Sequence, residues 1–207
     1  MPVSCIIPAV NARSIARGVA LGGAALAAGV WTSSGLGREL DQDAFRAANQ
    51  EASAGADRFY RGVTELGSIW ASVGAAGVLG AAGRRRAAGR GLSAACLTWL
   101  AGQGLKKVFA RPRPYVADAE GTNLRIGEPN GTTWPSSHPA VLLAFLTVAS
   151  RDLGAGRSAR VALDALAATI GISRVYVGVH YPADVVGGVL VGRGVAAAFD
   201  DRGNPRS

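Results

Sequence analysis

Residues 18–37 read GVALGGAALAAGVWTSSGLG, twenty positions without a charge. A helix of that length rises about 30 Å at ~1.5 Å per residue, the thickness of a bilayer's hydrocarbon core. Arg13 and Arg17 stand just before it. A cleaved signal peptide competes with a retained anchor, because Ala25-Leu26-Ala27 offers a small-x-small site after a basic start. The length of the run favours the anchor. The pattern recurs along the chain. Residues 66–83 are also charge-free and end at Arg84-Arg85-Arg86, and 91–105 extends through Val108-Phe109 to about 91–109. Residues 131–150 hold only His138 as a titratable group, and the span within them is placed at 135–150. Two weaker runs, about 159–174 and 183–199, are interrupted by Asp164 and Arg193.

These runs predict an all-α fold. It is a bundle of six transmembrane helices forming a single integral membrane domain over residues 1–207. Small residues suit close helix packing in lipid, as at Gly74-x-x-Gly77 and Gly188-x-x-x-Gly192. Between the first two spans, 38–65 mixes Arg38, Arg46, Arg58 and Arg61 with Glu39, Asp41, Asp43, Glu51, Asp57 and Glu65. Leu40, Ala44, Ala47, Ala48 and Phe59 recur there at roughly helical spacing, which predicts an amphipathic helix at the membrane interface. Asp164 and Arg193 fall at similar depth on the antiparallel fifth and sixth spans. Mutual pairing or a wet inner cavity is expected, since a lone charge there costs roughly 2.5–3.5 kcal/mol.

Composition narrows the functional classes. Ala (40) and Gly (29) make up a third of the chain and charged residues only 17%, which excludes a disordered, solvated chain. Two cysteines, Cys5 and Cys96, build no disulfide framework and are expected as free thiols; with two histidines, no usual zinc spacing exists. The net charge of +8 comes from 20 Arg and two Lys. With an inside N-terminus, six spans put Arg13, Arg17, Arg84, Arg85, Arg86, Arg90, Arg151, Arg157, Arg160, Arg193, Arg202 and Arg206 inside. Six of the outside cations (Lys106, Lys107, Arg111, Arg113, Arg125 and Arg174) cluster in two loops, leaving four elsewhere. That is a positive-inside pattern. Nucleic-acid binding, which gathers arginines on one soluble face among aromatics, is excluded as the reason for the charge.

Three short constellations carry chemistry. They are Lys106-x6-Arg113-Pro114, Pro135-Ser136-Ser137-His138, and Ser173-Arg174-x5-His180-x3-Asp184. Singly each has a bland reading: a span end with a stiff turn, a helix start, a structural pair at i and i+4. Topology brings all three to the outer end of one bundle, where ionisable groups at membrane depth are costly and usually functional. Lys106, Arg113 and Arg174 can neutralise a phosphoryl group, and guanidiniums bind it bidentately. Ser136, Ser137 and the first free N–H groups of span four suit an anion at a helix N-terminus. One histidine can attack phosphorus while the other protonates the leaving oxygen. Asp184, one turn from His180, can hold that ring's second nitrogen, so His180 is the expected nucleophile and His138 the expected acid.

In order and spacing these motifs resemble the three signatures of the type 2 phosphatidic acid phosphatase superfamily, which includes membrane lipid phosphate phosphatases and soluble vanadium haloperoxidases. The resemblance runs from Lys106 to Asp184. It implies a metal-independent phosphatase without a cofactor, working through a phosphohistidine on His180, with Asp184 as partner and His138 as general acid. Lys106, Arg113, Ser136, Ser137 and Arg174 would bind phosphate. One position departs: Ser137 stands where the family usually has Gly, at a cost of roughly 1 kcal/mol if positive φ is needed there. The expected substrate is a lipid phosphomonoester or diphosphate: phosphatidic acid, phosphatidylglycerol phosphate, or a polyprenyl phosphate or diphosphate. Nothing in the sequence picks among these; the Ala- and Arg-rich, Lys-poor composition suggests a GC-rich bacterial genome, which makes the polyprenyl carriers of cell-wall assembly reasonable candidates. The site is expected to face the extracytoplasmic side of the cell membrane. A phosphotransferase on the same scaffold and a non-catalytic lipid-phosphate binder or transporter stay open, as does the oligomeric state.

Overall fold

The computed structural model describes residues 12–50 and 53–201; Cys5, Glu51, Arg202 and Arg206 lie outside the described residues. The described chain is helical, with no strand. In order, the helices are α1 (Ala12–Trp31), α2 (Gly35–Ala48), α3 (Ala54–Thr64), α4 (Ile69–Ala81), α5 (Arg85–Phe109), α6 (Pro114–Ala117), α7 (Ser137–Asp152), α8 (Arg157–Tyr176) and α9 (Pro182–Ala198).

The first charge-free run is not one helix. Thr32 Oγ1 donates to the Ala28 carbonyl at 2.9 Å and Ser33 Oγ to that of Gly29 at 2.6 Å. Hydroxyls that bond back to the preceding turn satisfy its last carbonyls and end α1 at Trp31. The single amphipathic helix expected over 38–65 is two helices, α2 and α3. The break is at Asn49, which is buried and caps α2. Its Nδ2 donates to the Tyr176 carbonyl at 2.8 Å, and its Oδ1 accepts from Asn123 N at 2.7 Å. The side chain stitches two distant loops to the end of α2, and a continuing helix would carry it away from them.

Helix α7 is the axis of the bundle. Ala140, Val141, Leu143, Ala144, Phe145 and Val148 are buried, and α5, α8 and α9 pack around it. Fully buried alanines, Ala94 and Ala95 on α5 and Ala144 on α7, let these helices approach closely. On α9, a Cβ at Gly188 or Gly192 would strike the carbonyl oxygens of Ser136 and Ala140, so the expected small-residue contact is made. The one expected at Gly74 and Gly77 is not. Both face open space on α4, away from the face that packs on α5 and α7.

The two ends of the bundle differ. At the end formed by the start of α5 and the end of α7, Arg90 is buried. It pairs with Asp152 at 2.9 Å and Asp201 at 3.2 Å, and Arg86 meets Asp201 at 2.7 Å. Asp164 and Arg193 pair at 2.8 Å between α8 and α9. By length and apolarity alone, α1 is the one described helix able to cross a membrane. A second is added if α3 and α4, bent by 65° at Ser68, count as one broken span. The six-crossing expectation therefore outruns the helices taken singly: α7 has 16 residues, about 24 Å of rise, and α9 has 17.

Candidate active site

The motif residues sit at the other end of the bundle. Helices α5 and α8 arrive there with their C-termini, bringing Lys106 and Arg174; α7 and α9 leave from it with their N-termini, bringing Ser136 to His138 and Asp184. His180 lies in the short α8–α9 connection. Lys106, Arg113, Ser137, His138, Arg174 and His180 line one cavity of about 500 Å³.

Each cation is held by a neutral partner, which leaves its charge uncancelled. Lys106 Nζ donates to the Thr132 carbonyl at 3.1 Å, and Thr132 Oγ1 returns a bond to the Lys106 carbonyl at 2.8 Å. Arg113 donates to three carbonyls, Gly131 at 2.9 Å, Val179 at 3.1 Å and Asn130 at 3.3 Å. Arg174 donates to Thr64 Oγ1 at 2.8 Å from α3. Burial holds the Arg113 guanidinium below its usual range. Three positive groups in a low-dielectric pocket call for an anion of high charge. The hydroxyls of Ser136 and Ser137 are buried and lack a hydrogen-bond partner, as does Arg174 Nε. Buried polar atoms are normally satisfied, so these three donors are free to take a further partner.

The His180 imidazole is 2% exposed. Burial, reinforced by Lys106, Arg113 and Arg174, keeps it well below the ordinary histidine range, hence neutral at pH 7. Asp184 is fully buried and fixed from three sides. Oδ2 accepts from Tyr181 N at 2.8 Å and from Thr133 Oγ1 at 2.6 Å, and Oδ1 accepts from Arg111 Nη1 at 2.9 Å. The expected direct pairing of Asp184 with His180 is long, 3.5 Å from Oδ2 to Nδ1, with Thr133 Oγ1 2.8 Å from the ring nitrogen. Arg111 also binds Asp41 of α2 at 2.7 Å, and Asp41 in turn accepts from Ala183 N at 2.8 Å. Burial raises the Asp41 pKa, against the opposing pull of Ala183 N–H and Arg111.

Residues 88–200, more than half of the chain, match the family described as the PAP2 superfamily. The chain belongs to that superfamily. A PAP2 relationship also appears at the level of single proteins. A decaprenylphosphoryl-5-phosphoribose phosphatase of Mycolicibacterium smegmatis is 32% identical over 156 residues, 71% of this chain and 81% of that protein. The fold is that of a transmembrane PAP2-type phosphatidylglycerolphosphate phosphatase from Bacillus subtilis, with a TM-score of 0.72 over 86% of this chain and 92% of the other at 21% identity. LpxE of Aquifex aeolicus superposes with a TM-score of 0.66, 28% identity, and 74% and 91% coverage. This PAP2 chain is a phosphatase, as its relatives are. Ser137, in the place of the PAP2 glycine, is the first residue of α7; Ala110 is the one described non-glycine residue with positive φ, so Ser137 bears no such strain. Its hydroxyl stands 3.4 Å from where a Cβ on Gly102 of α5 would be, and the bare glycine leaves it room.

Sequence reasoning missed Thr133, Arg111, Asp41 and Thr64. Arg111 was visible only as one more arginine of the RPRP turn, and Asp41 as one of six acids in 38–65. Thr133 and Thr64 carry no charge and no spacing signal.

Proposed function

We propose that this protein hydrolyses a lipid phosphomonoester or diphosphate through a phosphohistidine, without a metal or cofactor. The observation that carries the reading is the convergence of Lys106, Arg113, Arg174, Ser137, His138 and His180 on one cavity. His180 attacks phosphorus from Nε2 as the bond from phosphorus to the lipid oxygen breaks, and His138 gives that oxygen its proton. Water, losing a proton to His138, then attacks the phosphohistidine and releases inorganic phosphate. Lys106, Arg113, Arg174, Ser136 and Ser137 hold the phosphoryl oxygens throughout and stabilise the charge that builds on them.

The enzyme is a six-span membrane protein forming a single domain over residues 1–207, its site open to the extracytoplasmic side. Arginines at the opposite end of the bundle support that orientation. Outward-facing apolar residues on several helices, among them Val19 of α1, Trp70 and Val78 of α4, Val108 of α5, Val161 of α8 and Val186 of α9, support burial in lipid. Polyprenyl-linked phosphates lead the substrate candidates, since the mycobacterial relative's name specifies a decaprenyl-linked one. Phosphatidic acid and phosphatidylglycerol phosphate follow.

The test is phosphate release from purified protein across a panel of lipid and water-soluble phosphates, with and without chelator and orthovanadate. Lipid phosphates should turn over, vanadate should inhibit and chelator should not. His180→Ala should abolish turnover and any acid-labile phosphoenzyme, while His138→Ala should slow poor leaving groups most. More than a few per cent of activity in His180→Ala would overturn the nucleophile assignment.

A further inference from the structure

Asp184 and His180 stand too far apart for a good hydrogen bond, 3.5 Å from Oδ2 to Nδ1. Thr133 Oγ1 lies between them, 2.6 Å from the carboxylate and 2.8 Å from the ring nitrogen. The three side chains are buried, Thr133 and Asp184 at 0% exposure and His180 at 2%, so water does not compete for these contacts. The Thr133 backbone is fixed as well, its N–H donating to the Arg111 carbonyl at 2.9 Å.

A hydroxyl has one proton to give and two lone pairs to receive with. An ionised carboxylate only accepts, and charge-assisted bonds are the short, strong ones. The Thr133 proton therefore goes to Asp184; the Val179 carbonyl, 3.3 Å away, is a poorer acceptor. With its proton committed, Thr133 Oγ1 turns a lone pair to His180 Nδ1. That nitrogen must carry the ring proton, and Nε2 keeps its lone pair. In the reverse arrangement the hydroxyl donates to Nδ1. Two oxygens would then face each other at 2.6 Å with no proton between them, and the proton of the ring would sit on Nε2.

We propose that Thr133 is a positioning residue that selects the Nδ1–H tautomer of His180 and transmits the charge of Asp184 to the ring. The proposal rests on the reading of His180 as nucleophile. When Nε2 bonds phosphorus and the lipid oxygen leaves with a proton from His138, the ring becomes cationic with Nδ1–H retained. That proton stays bonded to Thr133 Oγ1, whose own proton stays on Asp184. The sequence-level pairing of Asp184 with His180 thus acts through a third residue. Asp184 does not depend on Thr133 for its place, because Arg111 and the Tyr181 N–H hold it independently. Removing the hydroxyl should break the link and leave the carboxylate where it is.

Two measurements test this. Thr133→Val, of nearly equal volume, should lower kcat on a short-chain phosphatidic acid ten- to a hundredfold. KM and inhibition by inorganic phosphate should stay within threefold, and phosphoenzyme formation in rapid quench should slow in the same ratio as kcat. Thr133→Ser should restore kcat to within threefold of wild type. The second measurement reads the tautomer directly. The chain has two histidines, so ¹⁵N-histidine labelling in a His138→Gln background leaves one imidazole to observe. His180 should show a protonated Nδ1 with Thr133 present and should lose that preference in Thr133→Val. Unchanged kcat in Thr133→Val, or an Nε2–H ring in the Thr133 protein, would overturn the proposal. The spectrum of the Thr133 protein decides the matter by itself if the valine variant does not fold. Failure of the phosphatase reading looks different: no lipid phosphate would turn over, whatever tautomer the ring shows.

Discussion

Replacing Asp41 should loosen the active site from a helix that contributes nothing to phosphate binding. Asp41 of α2 is 5% exposed and makes two bonds, accepting from Arg111 Nη2 at 2.7 Å and from Ala183 N at 2.8 Å. Arg111 is 9% exposed and shares its guanidinium between Asp41 and Asp184. Asp41→Ala strands one buried N–H donor on each partner. A stranded buried donor costs about 1–3 kcal/mol, more beside a charge, and breaking a buried ion pair costs about 3–5 kcal/mol. Arg111 keeps Asp184, which offsets part of this, so the expected loss is about 3–4 kcal/mol. Asp41→Asn keeps the shape but has one oxygen for two donors. Its NH₂ must face either Arg111 or Ala183, and the loss should be about 1–3 kcal/mol. The charge itself adds little, since burial already raises the Asp41 pKa against both partners. For a chain of this length, 1 kcal/mol moves Tm by roughly 2–4 °C. Tryptophan fluorescence on heating in detergent should therefore place alanine about 6–16 °C below wild type, with asparagine between. Losses under about 0.5 kcal/mol for both variants, or asparagine as costly as alanine, would refute the two-donor reasoning.

Three further outcomes are expected. Ala110, with φ at +45°, closes α5 in the left-handed region, so Ala110→Gly should stabilise by about 1 kcal/mol in the same melting assay; no gain would mean that backbone strain is absent. Asp164 and Arg193 pair at 2.8 Å between α8 and α9, so Asp164→Ala should destabilise the protein and the double-alanine change should cost less than the sum of the singles; simple additivity in that cycle would exclude pairing. Because the folded state holds His180 neutral, it binds fewer protons than the unfolded chain below pH 6.5; stability should be full above that pH and fall on acidification at up to about 1.4 kcal/mol per unit, and His180→Gln should flatten this slope in phosphate-free buffer.

The legible part of the molecule was the part written in charge and apolarity. The runs at 91–109, 135–150, 159–174 and 183–199 correspond to α5, α7, α8 and α9 within a few residues, except that α5 begins earlier, at Arg85. Ionisable residues at run ends named Lys106, His138, Arg174 and Asp184, because charges at such depth stand out against a neutral background. What stayed hidden depends on partners distant in sequence. Asn49 breaks 38–65 in two only because Tyr176 and Asn123 wait beside it. Asp41 is indistinguishable from Asp43 until Arg111 and Ala183 are seen around it. Thr133 is a neutral hydroxyl in a polar stretch, and its place between His180 and Asp184 follows from the loop's path alone.

The alternation of helix directions also explains why this end of the bundle is fit to bind an anion. Peptide dipoles leave partial negative charge at helix C-termini and partial positive charge at N-termini. Lys106 and Arg174 sit in the last turns of α5 and α8, where a cation stabilises its own helix. Asp184 sits in the first turn of α9, where an anion does so, and the site proposed for the phosphoryl group lies at the first turn of α7. Lys106, Arg174 and Asp184 are thus placed where the backbone favours them, while Arg113, at the N-cap of the four-residue α6, stands outside this pattern. At the opposite end the agreement is partial: Arg151 closes α7 in accord with the dipole, but other arginines do not follow it. Arg85 and Arg86 open α5 and Arg157 opens α8, each against the local dipole. Asp152 and Asp201 offset part of this through Arg86 and Arg90. The proposed membrane orientation accounts for arginines that run against the dipole, since a positive-inside bias acts on cations at span ends. Under the proposed function the two ends therefore divide the work, one binding the phosphate and the other setting the orientation in the bilayer.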